Sequence, residues 1–199
     1  MQKYAAFIAG LPTGRNAISM DRLKALLSQL GFLNIETFLT SGNVIFETAP
    51  VGVIQPLEAQ IARYLRKSLD VDDIWVFIRT PEELRAIAAD VPFEEEDMNA
   101  SGNLLFIVLL TEEPGEQSKR RLRIKRNDVD DLRLSGREIY WLRRPSSEAV
   151  APPSLSEILE APATVRSFHT IVRLIDRITA RPRAESPVTE INPSAQSHP

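Results

Sequence analysis

The spacing of apolar residues along the chain alternates between two periods, and the switches mark out its elements. Residues 3–9 run almost without a polar break, with Tyr4, Phe7 and Ile8 carrying the bulk, and predict a buried strand. Met20, Leu23, Leu26, Leu27 and Leu30 then recur at helical spacing. Ser19 stands where a hydroxyl caps the first exposed N–H groups, and Gly31 where a left-handed stop is needed. Residues 35–39 and 44–46 read as strands joined at Ser41-Gly42-Asn43, a hairpin. Leu57, Ile61, Tyr64, Leu65 and Leu69 form a second helical stripe, and residues 74–78 another strand. The order is β-α-β-β-α-β. Right-handed crossovers put both helices on one side of the sheet, which is the ferredoxin-like arrangement. Strands 3–9 and 74–78 are expected to be parallel neighbours. The opposite sheet face stays partly apolar, and the rest of the chain is expected to cover it.

The second half opens on Thr80-Pro81-Glu82-Glu83, which combines a cap, a proline at the first helical position and a glutamate at the third. Residues 104–110 are continuously apolar and read as a central strand, and 116–124 as a helix. Residues 130–134 and 138–142 flank a Ser135-Gly136-Arg137 turn as a second hairpin. A short helix starts at Ser154, and a last one spans 168–178 with Ile171, Leu174, Ile175 and Ile178 on one face. This half echoes the first in architecture, without a sequence repeat. From residue 180 onward prolines alternate with small polar residues, too few of them apolar to offset the entropy of ordering. The expectation is therefore an α+β chain: a ferredoxin-like subdomain over 1–79, a related α+β subdomain over 80–179 packed against it, and a mobile tail over 180–199.

Composition narrows the chemistry. The absence of cysteine in 199 residues excludes disulfides, thiolate catalysis and cysteine-bound metals, and agrees with a cytoplasmic setting. No run approaches the ~18 apolar residues of a spanning helix, so no membrane is expected as a partner. His169 and His198 are the only histidines and cannot form a paired metal motif. No metal or cofactor is expected. The net charge of −3 does not favour a polyanion globally.

Local patterns supply the candidate residues. Residues 10–14 form a glycine-containing loop that lacks both the GxGxxG spacing and the Walker lysine, so it reads as a surface connection. Asn43 in the hairpin turn is expected to bond its own backbone. The acidic run 94–97 fits no calcium loop and reads as a solvated loop. Lys119, Arg120, Arg121, Arg123, Lys125 and Arg126 concentrate positive charge on one helix. They suit nucleic-acid phosphates, or a solvated face paired with the acidic runs on either side, and no aromatic interleaves them for stacking. Arg137, Arg143, Arg144 and Arg166 would hold a small anion if folding brought them together. His169 would be an isolated acid or base near a helix start.

Several of these segments also carry a resemblance. Leu26-Leu27 leading to Gly31-Phe32, residues 41–46, residues 136–141 and Ala163-Thr164-Val165-Arg166 leading to Thr170 are similar to the DUF1697 family, bacterial proteins of unassigned function. The resemblance spans residues 3–178 and implies an α+β fold with ferredoxin-like subdomains. It implies no reaction. The family's arginine-glycine-isoleucine-asparagine-valine-glycine-glycine segment departs here: Ala9 takes the arginine position, Gly10 is retained, Pro12 replaces the asparagine and Arg15 the last glycine. The arginine-asparagine-tryptophan-asparagine-threonine segment becomes Arg166-Ser167-Phe168-His169-Thr170. Arg166 and Thr170 therefore carry over directly, and with Arg137, His169 and Asn43 they make the ligand-binding candidates. Three readings stand: a non-catalytic binding or interaction protein, possible as a homodimer; an enzyme or small-anion binder with an arginine-lined cleft; and a nucleic-acid binder using residues 119–126.

Overall fold

Strand β1 (Gln2–Ala9) is buried on both faces, and this fixes the layering of the whole molecule. The computed structural model describes residues 1–39 and 42–180; the expected tail, His198, and residues 40 and 41 of the hairpin turn lie outside the described residues. Tyr4, Ala6 and Ile8 point to one side, where α1 (Met20–Ser28) and α2 (Gln55–Leu69) cover them with Leu23, Leu26, Leu27, Leu57, Ile61 and Leu65. Ala5 and Phe7 point to the other side, into a core shared with the second half. Each fully buried Leu, Ile or Phe contributes roughly 1.5–3 kcal/mol.

Strands β2 (Leu33–Phe38), β3 (Asn43–Thr48) and β4 (Trp75–Arg79) complete a four-stranded sheet in the order β2-β3-β1-β4. This is the ferredoxin-like order. β1 and β4 are neighbours as expected, but they run antiparallel, with Ala5 opposite Arg79 and Ala9 opposite Trp75. The expectation of parallel neighbours was wrong for a topological reason. Each crossover helix joins strands that are parallel, yet a third strand is inserted between them, so every direct neighbour is antiparallel.

The second half repeats the plan. After α3 (Pro81–Ala89) and α4 (Glu95–Asn99) come β5 (Leu104–Leu110), α5 (Glu116–Ile124), β6 (Asp130–Ser135), β7 (Glu138–Arg143), α6 (Leu155–Leu159), β8 (Ala163–Ser167) and α7 (Phe168–Thr179). The order β6-β7-β5-β8 matches the first sheet strand for strand. The registers match too. Ala5 faces Ile45 and Arg79; Ile107 faces Tyr140 and Arg166. Strand β8 escapes the periodicity reading because it is short, interrupted by Arg166 and runs straight into α7. The acidic run, read as a loop, forms α4.

The second sheet is likewise covered on both faces. Val108, Leu110, Ile139 and Trp141 meet α5 and α6 through Leu122, Ile158 and Leu159. Ile107, Leu109, Tyr140 and Leu142 face inward, and α3 and α7 fill the space between the sheets with Leu84, Ile87, Ile171, Leu174 and Ile178. Each of these helices starts where its unit's last strand ends. Thr80 and Glu83 make a reciprocal capping box for α3, and Ser167 accepts from Thr170 N for α7.

Candidate functional site

The duplicated register puts two arginines in equivalent places, and each crosses to the other unit. Arg79 ends β4 with its side chain fully buried. Its Nε donates to Glu138 at 2.7 Å, Nη1 to its neighbour's carbonyl, Ile78 O, and Nη2 to Leu110 O at 2.9 Å. Arg166 repeats this atom for atom in reverse. Its Nε donates to Asn43 at 2.7 Å, Nη1 to Val165 O, and Nη2 to Ile8 O at 3.5 Å. The reason is register: Ile8 N bonds Gly42 O as Leu110 N bonds Arg137 O, so Asn43 and Glu138 occupy the same corner of their sheets. One corner carries a carboxylate and the other a carboxamide. Burial pushes Arg166 down to about 10. Burial also lowers Arg79, with Glu138 opposing it.

The Arg79 corner extends into a charged network. Glu58 of α2, with its side chain only 3% exposed, accepts Ile78 N at 2.6 Å and lies 3.9 Å from Arg79 and 3.7 Å from Arg137. Arg137 also pairs with Glu83 at 2.8 Å, so the residue that boxes the start of α3 is tied to the second unit. Burial raises the Glu58 carboxyl above its ordinary range; the Ile78 N–H, Arg79 and Arg137 pull it back in part. Its second oxygen, Oε2, is buried without a hydrogen-bond partner among the described residues.

Beside this network lies a groove between the units. Gln55, Glu58, Ala59, Ala62 and Arg66 of α2, Trp75 and Val76 of β4, and Thr111 and Glu112 beyond β5 enclose a cavity of about 300 Å³. Trp75 and Glu112 continue it into neighbouring clefts that share Glu160, Ala161 and Pro162. The Arg66 guanidinium lies 4.5 Å over the Trp75 ring while its Nε donates to Ile74 O. Sequence reasoning passed over Glu58, Arg66, Arg79 and Trp75. Only one signal was available: a glutamate and an arginine on the overhanging side of the same amphipathic helix.

The expected candidates are dispersed. Arg137 belongs to the Glu58 network and Arg166 to the opposite corner, while His169 is exposed on the first turn of α7; the three share no hydrogen bond or ion pair. Thr170 completes the α7 cap with Ser167. Asn43 does not bond only its own turn: its Nδ2 reaches Phe38 O while Oδ1 receives Arg166. Arg143 is tied to Asp130 and Val150 O, and Arg144 to Asp97, so these two do not join Arg137 and Arg166 in one cluster. On α5, Lys119 pairs with Glu113 and Glu116, Arg121 with Glu160, and Arg126 with Asp131. Arg120, Arg123 and Lys125 are exposed and make no close salt bridge among the described residues, although Arg120 and Arg123 lie near enough to Glu116 to favour its charged form. The described residues hold no cluster able to bind a metal and no helix long and apolar enough to cross a membrane. The two departing family segments, 9–15 and 166–170, come close at their first residues: Arg166 bonds Ile8 O, and Ala9 and Gly10 line one cleft with Ala163 and Val165.

The fold is similar to that of the conserved bacterial protein SP0830 from Streptococcus pneumoniae, with a TM-score of 0.62 and 17% identity over 90% of this chain and 99% of that one. No curated protein matches the sequence. Residues 1–140 match the family model described as protein of unknown function DUF1697, and the chain therefore belongs to that family.

Proposed function

We propose that this is a non-catalytic binding protein whose ligand occupies the groove between its two ferredoxin-like units. The observation that carries this reading is the make-up of the walls. Glu58, Arg66 and Trp75 come from one unit and Thr111 and Glu112 from the other, around a cavity of about 300 Å³. A concave, largely apolar site with a few convergent polar groups is the usual form of a small-ligand site. The ion pairs behind the wall hold it in place before a ligand arrives, which lowers the cost of ordering on binding. The exposed His169 has no part in it.

Amide chemical shifts test the reading. The probes are free amino acids, di- and tripeptides, mononucleotides and sugar phosphates. One class is expected to shift the Glu58, Val76 and Thr111 amides and to survive prolonged incubation unchanged. Failure of every class to move those amides, or turnover of the bound compound, overturns it. A second reading keeps nucleic acid as the partner, favoured by Arg120, Arg123 and Lys125 standing exposed on and just beyond α5. It expects affinity for a single-stranded RNA oligonucleotide to fall steeply with salt and to drop when Arg120, Arg121 and Arg123 are neutralised. Unchanged affinity eliminates it.

A further inference from the structure

The outer edge of β4 offers more than a wall. Ile78 N is taken by Glu58, Ile78 O by Arg79 and Ile74 O by Arg66, so the even-numbered residues of this strand turn their backbone groups away from β1. Ile8, opposite Val76, sends its own N–H to Gly42 on the other side. Val76 therefore presents an N–H and a C=O to the groove, midway between two side chains that already grip the strand. At one end is Glu58, with Oε2 buried and unpartnered among the described residues. At the other is Arg66, whose Nη1 and Nη2 make no hydrogen bond among the described residues.

Resting on the reading of the groove as a binding site, we propose that it binds a short peptide with free ends, laid antiparallel along β4. The peptide ammonium meets Glu58 Oε2, the carboxylate meets the Arg66 guanidinium, and the middle residue exchanges two hydrogen bonds with Val76. Three features of the geometry agree. Ile74 and Ile78 are four residues apart, or roughly 13 Å along a strand. After two terminal hydrogen bonds, that leaves room for about three extended residues. The chemistry of the two ends sets the direction, because the anionic residue sits by Ile78 and the cationic one by Ile74. Running from Ile78 towards Ile74 is antiparallel to β4, and only an antiparallel pair lets two residues exchange both of their bonds. The floor of Ala59 and Ala62 leaves the peptide backbone free to approach, as strand addition requires.

The test is calorimetric titration with trialanine in four forms: free, N-acetylated, C-amidated and doubly blocked. Blocking either end is expected to weaken binding at least tenfold. Glu58→Gln should abolish the difference between free and acetylated peptide, and Arg66→Gln the difference between free and amidated peptide. A thermal melt of each variant confirms that it is folded, and the wild-type comparison of free and blocked peptides stands without any variant. Equal binding of all four forms overturns the proposal, as does alanine alone binding as tightly as trialanine. If no peptide binds but a nucleotide or sugar phosphate shifts the groove amides, this inference fails and the groove reading survives. If nothing shifts them, both fail.

Discussion

Replacing Arg79 with methionine tests whether the buried arginine locks the two units together. The substitution keeps most of the side-chain volume and removes the charge. It strands Glu138, strips the bonds to Leu110 O and Arg137 O, and leaves Glu58 facing Arg137 alone. Removing one partner of a buried ion pair costs about 3–5 kcal/mol, because the remaining charge is left uncompensated. In a chain of this length each kcal/mol moves the melting point by about 2–4 °C, so the drop should be roughly 6–20 °C. Urea unfolding measures the free energy directly, with an unchanged slope confirming that the unfolded state is not altered. Adding Glu138→Gln should recover part of the loss, since the double variant no longer holds that stranded carboxylate; a coupling of about 0.5–3 kcal/mol is expected. The equivalent Arg166→Met change faces a carboxamide at Asn43 and should cost less, about 1–3 kcal/mol. A loss below about 1 kcal/mol for Arg79→Met, or no coupling to Glu138, refutes the account.

Three further outcomes follow from the same geometry. Glu58 faces Arg79, Arg137 and Glu83, and burial dominates, raising its carboxyl above the unfolded value of 4.5. The folded state thus holds this proton more tightly. Its stabilising effect is complete below the unfolded value and is lost as pH rises through the folded one. Denaturation curves across that window should show the wild type losing stability relative to Glu58→Gln, and parallel pH profiles would contradict this. Gly10 has φ +77°, and a β-carbon there would stand 1.6 Å from Asp73 O. Gly10→Ala should cost more than about 2 kcal/mol in thermal unfolding; Gly14→Ala, with φ +65° and open space, should cost only about 1–2 kcal/mol. Thr80→Ala removes half of the α3 capping box and should cost about 1 kcal/mol, while Thr80→Ser should be close to neutral by the same melt.

The first six elements were legible because each carries a local signal. The stripe from Met20 to Leu30, the cap at Ser19 and the stop at Gly31 need no tertiary information to be recognised. The capping box at Thr80 is equally local. β8 was missed because five residues with an arginine among them have no period to read. The charged site was missed for a related reason. Arg79, Glu138 and Glu58 are 20 to 80 residues apart and sit in unremarkable surroundings, and an arginine at the end of a strand looks like one that faces water.

The order of strands and helices, the caps and the apolar stripes were set by the sequence, since backbone preference and burial periodicity act within a few residues. Tertiary structure alone decided that β1 and β4 run antiparallel, that two sheets enclose α3 and α7, and that Arg79 and Arg166 are equivalent. Those outcomes depend on which strand is inserted between which and on registers shared across a hundred residues. The groove belongs to this second group, because its two walls meet only when both units have folded and packed.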